Sequence, residues 1–206
     1  MLLKNIFYAI LLGVGMAACL SQNEKQKEGE TAASVIEEAV TETPAQPTAP
    51  SPEQLQIGPD RVGFVTIGQD IKQMRQNIPS GFSITDTTLQ QEGMQSTAYI
   101  IRPEQQAKGF LVEQQCDTDC KVWRLKVTSE EYKTPKGIHV GATYAQAQQA
   151  HPINTVTLAD GGLVAVAKEG GITFVLNAEQ VPAAQRGRLT PTTVPADTRV
   201  KAILIY

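Results

Sequence analysis

Val65-Thr66-Ile67-Gly68-Gln69-Asp70-Ile71-Lys72-Gln73-Met74-Arg75-Gln76-Asn77-Ile78-Pro79 aligns without gaps on Ile138-His139-Val140-Gly141-Ala142-Thr143-Tyr144-Ala145-Gln146-Ala147-Gln148-Gln149-Ala150-His151-Pro152. Few positions are identical: the glycine, two glutamines and the closing proline. The shared physical pattern is stronger. Each copy opens as a short strand with alternating apolar residues and then meets a glycine where the chain turns sharply. Asp70 and Thr143 follow at the N-cap position, each with Gln three residues later, the capping-box spacing. Ile71, Met74 and Ile78 lie at i, i+3 and i+7 on one helical face, and Tyr144, Ala147 and His151 match them. Helices this short do not persist alone and need a sheet to lie on.

Strands are legible after each helix. Phe82 to Thr87, Ser96 to Arg102, Gly109 to Gln115 and Lys121 to Ser129 follow the first. Asn154 to Leu158, Leu163 to Lys168, Ile172 to Leu176 and Arg199 to Tyr206 follow the second. Asp160-Gly161-Gly162 and Glu169-Gly170-Gly171 are tight-turn signals between neighbouring strands. The expected fold is therefore α+β: two tandem units, each a short helix packed on about four antiparallel strands. They occupy residues 58–132 and 133–206 within a domain of 55–206 and meet at the turn cluster Tyr132 to Gly137.

The N-terminus carries a different signal. Lys4 precedes an apolar or small stretch from Ile6 to Ala18, thirteen residues against the roughly 20 that a membrane-spanning helix needs. A charged start, short apolar middle and small-residue exit describe a signal peptide over 1–18. Met16-Ala17-Ala18-Cys19 resembles a bacterial lipobox, with Met16 where lipoproteins usually carry Leu. The resemblance implies that Cys19 becomes an acylated N-terminus and anchors the protein in a membrane. Leu20 stands where an Asp would imply retention at the inner membrane, so the expected location is the outer membrane.

Residues 19–54 read as a lipidated, disordered tether. Seven glutamates stand against two lysines from Leu20 to Glu53, no aromatic residue is present, and proline recurs from Pro44 to Pro52. The chain has three cysteines. With Cys19 consumed by lipid, Cys116 and Cys120 remain as a pair, expected to close a disulfide in an oxidising compartment. Such a small ring contributes only about 2 kcal/mol of chain entropy.

A helix-plus-antiparallel-sheet unit repeated with a period near 73 is similar to the β-lactamase inhibitor protein. It also looks like the small lipoproteins of outer-membrane assembly machinery, whose repeat opens with a Gly-x-Thr-x-x-Glu helix start. Gly141-Ala142-Thr143-Tyr144-Ala145-Gln146 fits that start with Gln for Glu, and Gly68 to Gln73 fits it more loosely. The resemblance implies protein binding without catalysis.

The residues themselves offer little chemistry. His151 replaces Ile78 on the packing face and reads as a structural histidine, and His139 reads as an exposed strand residue. Asp117-Thr118-Asp119 lacks the following acidic residue and the glycine of a calcium loop, so neither metal nor cofactor is expected. There is no nucleophile elbow and no phosphate-cradling glycine loop. Trp123 shares a two-residue spacing with Leu125 and Val127 and is expected in the core. No interleaving of basic and aromatic residues points to nucleic acid. The connection from Ala178 to Thr198 is long and expected to be structureless, with Arg186 and Arg188 as candidate anchors for a partner. The expectation is a lipid-anchored envelope protein that binds a protein partner as assembly scaffold or hydrolase inhibitor. A small-ligand or glycan-binding module is the alternative, and an enzyme the least supported class.

Overall fold

Gly68 and Gly141 both adopt positive φ, 81° and 93°, which is why glycine stands at each. The two turns are held alike. Gly68 N–H donates to Val122 O and Val122 N–H to Gln69 O, while Gly141 N–H donates to Val200 O and Val200 N–H to Ala142 O. Each turn launches a short helix, α1 (Ile71–Gln76) and α2 (Tyr144–Ala150). Asp70 caps α1 by accepting from Gln73 N–H at 3.0 Å. Thr143 caps α2, and there Gln146 Oε1 reaches back to Thr143 N–H at 2.9 Å and closes the capping box. Ile71, Met74, Tyr144 and Ala147 are buried, so both helices lie with their apolar face on the sheet.

The computed structural model describes residues 49–91, 93–159 and 162–206. The expected leader, Cys19, the tether up to residue 48, and Asp160 and Gly161 of one expected turn lie outside them. In chain order the strands are β1 (Arg61–Val62), β2 (Val65–Thr66), β3 (Phe82–Gln91), β4 (Met94–Pro103), β5 (Phe110–Cys116), β6 (Cys120–Val127), β7 (Ile153–Ala159), β8 (Gly162–Ala167), β9 (Ile172–Leu176) and β10 (Val200–Ile205). β1 and β2 form a two-residue ladder. The other eight form one antiparallel sheet, ordered β3-β4-β5-β6-β10-β9-β8-β7.

This corrects the expected class. The described chain is mostly β, one continuous eight-stranded antiparallel sheet with a few short helices, and not an α+β pair of helix-on-strands units. The reason is the seam. β10 pairs with β6, Ile203 opposite Val127 and Ile205 opposite Leu125, so strands that local pattern assigns to separate units share one ladder. Helices of six and seven residues cover part of one face and do not form a layer of their own. A single core on that face runs from Ile71 and Phe110 through Leu125 and Ile203 to Phe174 and Leu163. Each large side chain buried there contributes roughly 1.5–3 kcal/mol.

Candidate functional site: an open sheet face around Trp123

The site begins with an irregularity. In the β5–β6 ladder Glu113 lies opposite Arg124, but Gln114 lies opposite Val122, leaving Trp123 as an extra residue on β6. A bulge of this kind shifts the alternation of faces. Val122 and Leu125, three residues apart, both enter the core. Trp123 and Arg124 instead face away from it. Trp123 is 42% exposed, which corrects its expected place in the core.

Arg124 is the organising side chain. Its Nε donates to Glu113 Oε1 at 2.9 Å and its Nη2 to Glu113 Oε2 at 2.7 Å, a bidentate pair with both residues 5% exposed. The guanidinium lies 4.8 Å from the centre of the Trp123 ring and 5.7 Å from that of Tyr206. Those two rings meet edge to face at 6.3 Å. Arg124 thus lies against both aromatics, holds the Glu113 carboxylate and has Nη1 3.5 Å from Tyr206 Oη, while the aromatics remain open to solvent, Tyr206 at 40%. Removing one partner of a buried pair of this kind costs about 3–5 kcal/mol, because the charge that remains is desolvated without its counter-ion.

The surrounding face is apolar. Ala98, Val164, Ala202 and Leu204 are buried yet lie outside the core cluster, because they point to the opposite side of the sheet. One row of partners crosses six strands: Ile100, Leu111, Lys126, Leu204, Thr173 and Val166. Among the described residues, every buried apolar side chain from outside the large sheet belongs to the core on the other face. Among the described residues, then, no buried apolar side chain from outside the sheet packs on this floor. Two hollows flank Trp123. One of about 310 Å³ is lined by Met94, Ser96, Glu113, Gln114 and Gln115, and the other, about 400 Å³, by Ile67, Gly68 and the Cys116–Cys120 hairpin tip.

This fold has a solved counterpart. It is similar to the uncharacterized protein yfeY from Escherichia coli, with a TM-score of 0.54 and 12% identity over 73% of this chain and 98% of that one. At that identity the likeness concerns the fold alone. No protein-family model and no curated protein matches the chain.

The other residues singled out by sequence lie elsewhere. Cys116 and Cys120 form a disulfide across the β5–β6 hairpin tip, with their Cα atoms 4.0 Å apart. The segment from Ala178 to Thr198 is not structureless. It contains a 3-10 turn at Ala178–Gln180 and α3 (Ala183–Arg186), and it buries Val181 and Val194 in the core. Tyr144 Oη and Gln148 Nε2 both donate to Pro191 O, at 2.8 and 2.7 Å, fastening the segment to α2. Arg186 Nε donates to Val181 O at 2.9 Å, turned back on its own segment, while Arg188 is exposed. Neither belongs to the Trp123 cluster.

His151 is buried at the end of α2, with Nε2 3.1 Å from Thr134 Oγ1 and Nδ1 3.5 Å from Glu169 Oε2. Burial, and then the nearby Lys136, hold its pKa below the usual histidine value. Glu169 in turn is held low chiefly by its hydrogen bond from Lys136 Nζ, 2.8 Å long. His139 is half-buried, its Nδ1 2.7 Å from Val140 O. Among the described residues no group of three or more His, Cys, Asp or Glu converges as metal ligands would.

Sequence reasoning missed Glu113, Arg124 and Tyr206 and misplaced Trp123. Two signals pointed to them. Leu163-Val164-Ala165-Val166-Ala167 and Ala202-Ile203-Leu204-Ile205 are apolar at every position, which means strands with two apolar faces. Val122 and Leu125 cannot both face inward on a regular strand, so a bulge must lie between them.

Proposed function

We propose that this is a lipid-anchored cell-envelope protein whose folded domain binds a protein partner through the open sheet face around Trp123, without catalysis. On this reading Cys19 is acylated after removal of the leader, and the acidic tether holds the domain off the outer membrane. The observation that carries the reading is the buried Arg124–Glu113 pair beneath two solvent-open aromatics. Trp, Tyr and Arg dominate the energetic centres of protein interfaces, and a preorganised guanidinium gives up little freedom on docking.

The test is a photo-crosslinking residue placed at Ser96, at the rim beside Trp123, in cells. A discrete protein adduct is expected, lost when Trp123→Ala is added. A Trp-to-Ala change at an interface centre costs about 2 kcal/mol or more, some thirtyfold in affinity. An adduct that survives Trp123→Ala, or none at all, overturns the reading. Cys19→Ser, which should release the chain from the membrane fraction, tests the anchor separately. The two hollows beside Trp123 favour a second reading, a small-ligand or glycan-binding module, for which Ser96 would give no protein adduct while purified protein bound immobilised oligosaccharide.

A further inference from the structure

Among the described residues the eight-stranded sheet ends at β3 and β7 with no strand beyond either, and these two edges differ in how they are guarded. An edge strand presents unpaired N–H and C=O groups, and proteins commonly blunt it with charge or proline. β3 carries Asp86 at mid-strand, held by Arg75 Nη1 of α1 at 2.6 Å, with both side chains largely exposed. A strand approaching there must strip water from that pair. β7 is Ile153-Asn154-Thr155-Val156-Thr157-Leu158-Ala159, with no charge and no proline within it; a bulge at Asn154 interrupts only its start, and its pairing with β8 is regular from Thr155 onward. Its β-branched residues favour extended backbone. Asn154, Thr155, Thr157 and Ala159 are exposed, and Leu158 is 55% exposed.

We infer that β7 is a self-pairing edge, whose occupant is β7 of a second copy of this chain, joined antiparallel about a two-fold axis. The strand is self-complementary. Pairing centred on Val156, on the regular stretch that follows the bulge at Asn154, sets Thr155 opposite Thr157 of the copy, so no charges meet and threonine pairs lie side by side, a favourable cross-strand combination. Antiparallel pairing is also the mode between all neighbours of this sheet. The unequal edges decide the stoichiometry. A two-fold contact uses up β7 of both copies, and the guarded β3 offers no second joint, so the assembly closes at two and does not grow into a filament. The inference does not depend on the partner reading of Trp123.

The experiment measures the mass of the full-length protein, extracted in detergent at micromolar concentration, by sedimentation with the detergent contribution subtracted. Two chains per particle are expected for the wild type. Thr157→Lys, which puts a charge on β7, should give one chain, and Thr85→Lys, on the already guarded β3, should still give two. Thr155→Lys serves in place of Thr157→Lys if circular dichroism shows that variant unfolded. A monomeric wild type, a β7 variant that stays dimeric, or loss of the dimer in Thr85→Lys each overturns the inference.

Discussion

His151 shows what one residue can impose on the whole domain. It is buried where α2 ends and touches the Tyr132–Gly137 turn through Thr134 and the β8–β9 hairpin through Glu169. Its pKa in the folded state is lowered, first by burial and then by Lys136. Unfolded, it titrates near the ordinary value of about 6.5. As pH falls through that value the unfolded chain takes up a proton that the folded chain refuses, so stability present above about 6.5 is lost toward the lower folded pKa. The melting temperature should therefore be lower at pH 5.5 than at pH 7.5, and His151→Gln should flatten the difference. An equally steep decline in His151→Gln would place the acid sensitivity elsewhere. Glu169 is also held low, but its contribution is lost only as pH falls below about 4.5.

At the scale of elements, α2 acts as a cleat for the long segment that follows β9. Burial pushes the Tyr144 hydroxyl up to about 12, so it remains a donor to Pro191 O across the physiological range. Tyr144→Phe removes one hydrogen bond, at a cost of about 1 kcal/mol, and leaves Gln148 as the remaining tie. Limited trypsin digestion should then cut faster after Arg188, with the core strands still protected; unchanged cutting would show that the fastening lies elsewhere. The same elements show what was legible in the sequence. Strands emerged within a few residues of their true ends because apolar alternation and glycine turns are local. Trp123 did not, because one bulged residue reverses the face of everything before it. The fastening of 178–198 was hidden too, since Pro191 O and Tyr144 meet only after the chain has folded back.

For the molecule as a whole, the seam between β6 and β10 matters most, and it is the feature that local pattern hides completely. Each strand is readable by itself, but nothing in Cys120–Val127 names Val200–Ile205 as its neighbour. Because one core runs beneath the seam, from Phe110 and Leu125 to Ile203 and Phe174, residues 55–206 should unfold in a single transition. Coincident melts by circular dichroism and Trp123 fluorescence, with calorimetric and van't Hoff enthalpies equal, are the expected result. Two separated transitions would mean that the halves hold independently.

The seam also sets an order of assembly. β3 to β6 can zip hairpin by hairpin as they become available, but the outer side of β6 must wait for a strand that begins at Val200. Through that interval β6 is an open border, the kind of surface on which incomplete chains stick to one another. Lys121 and Lys126 stud it with like charge, while Arg124 is paired with Glu113 across the ladder already formed. In the finished protein Lys126 sits on an apolar floor. Until the last ladder closes, Lys121 and Lys126 set like charge along the uncovered strand and oppose its pairing with the same strand of another copy.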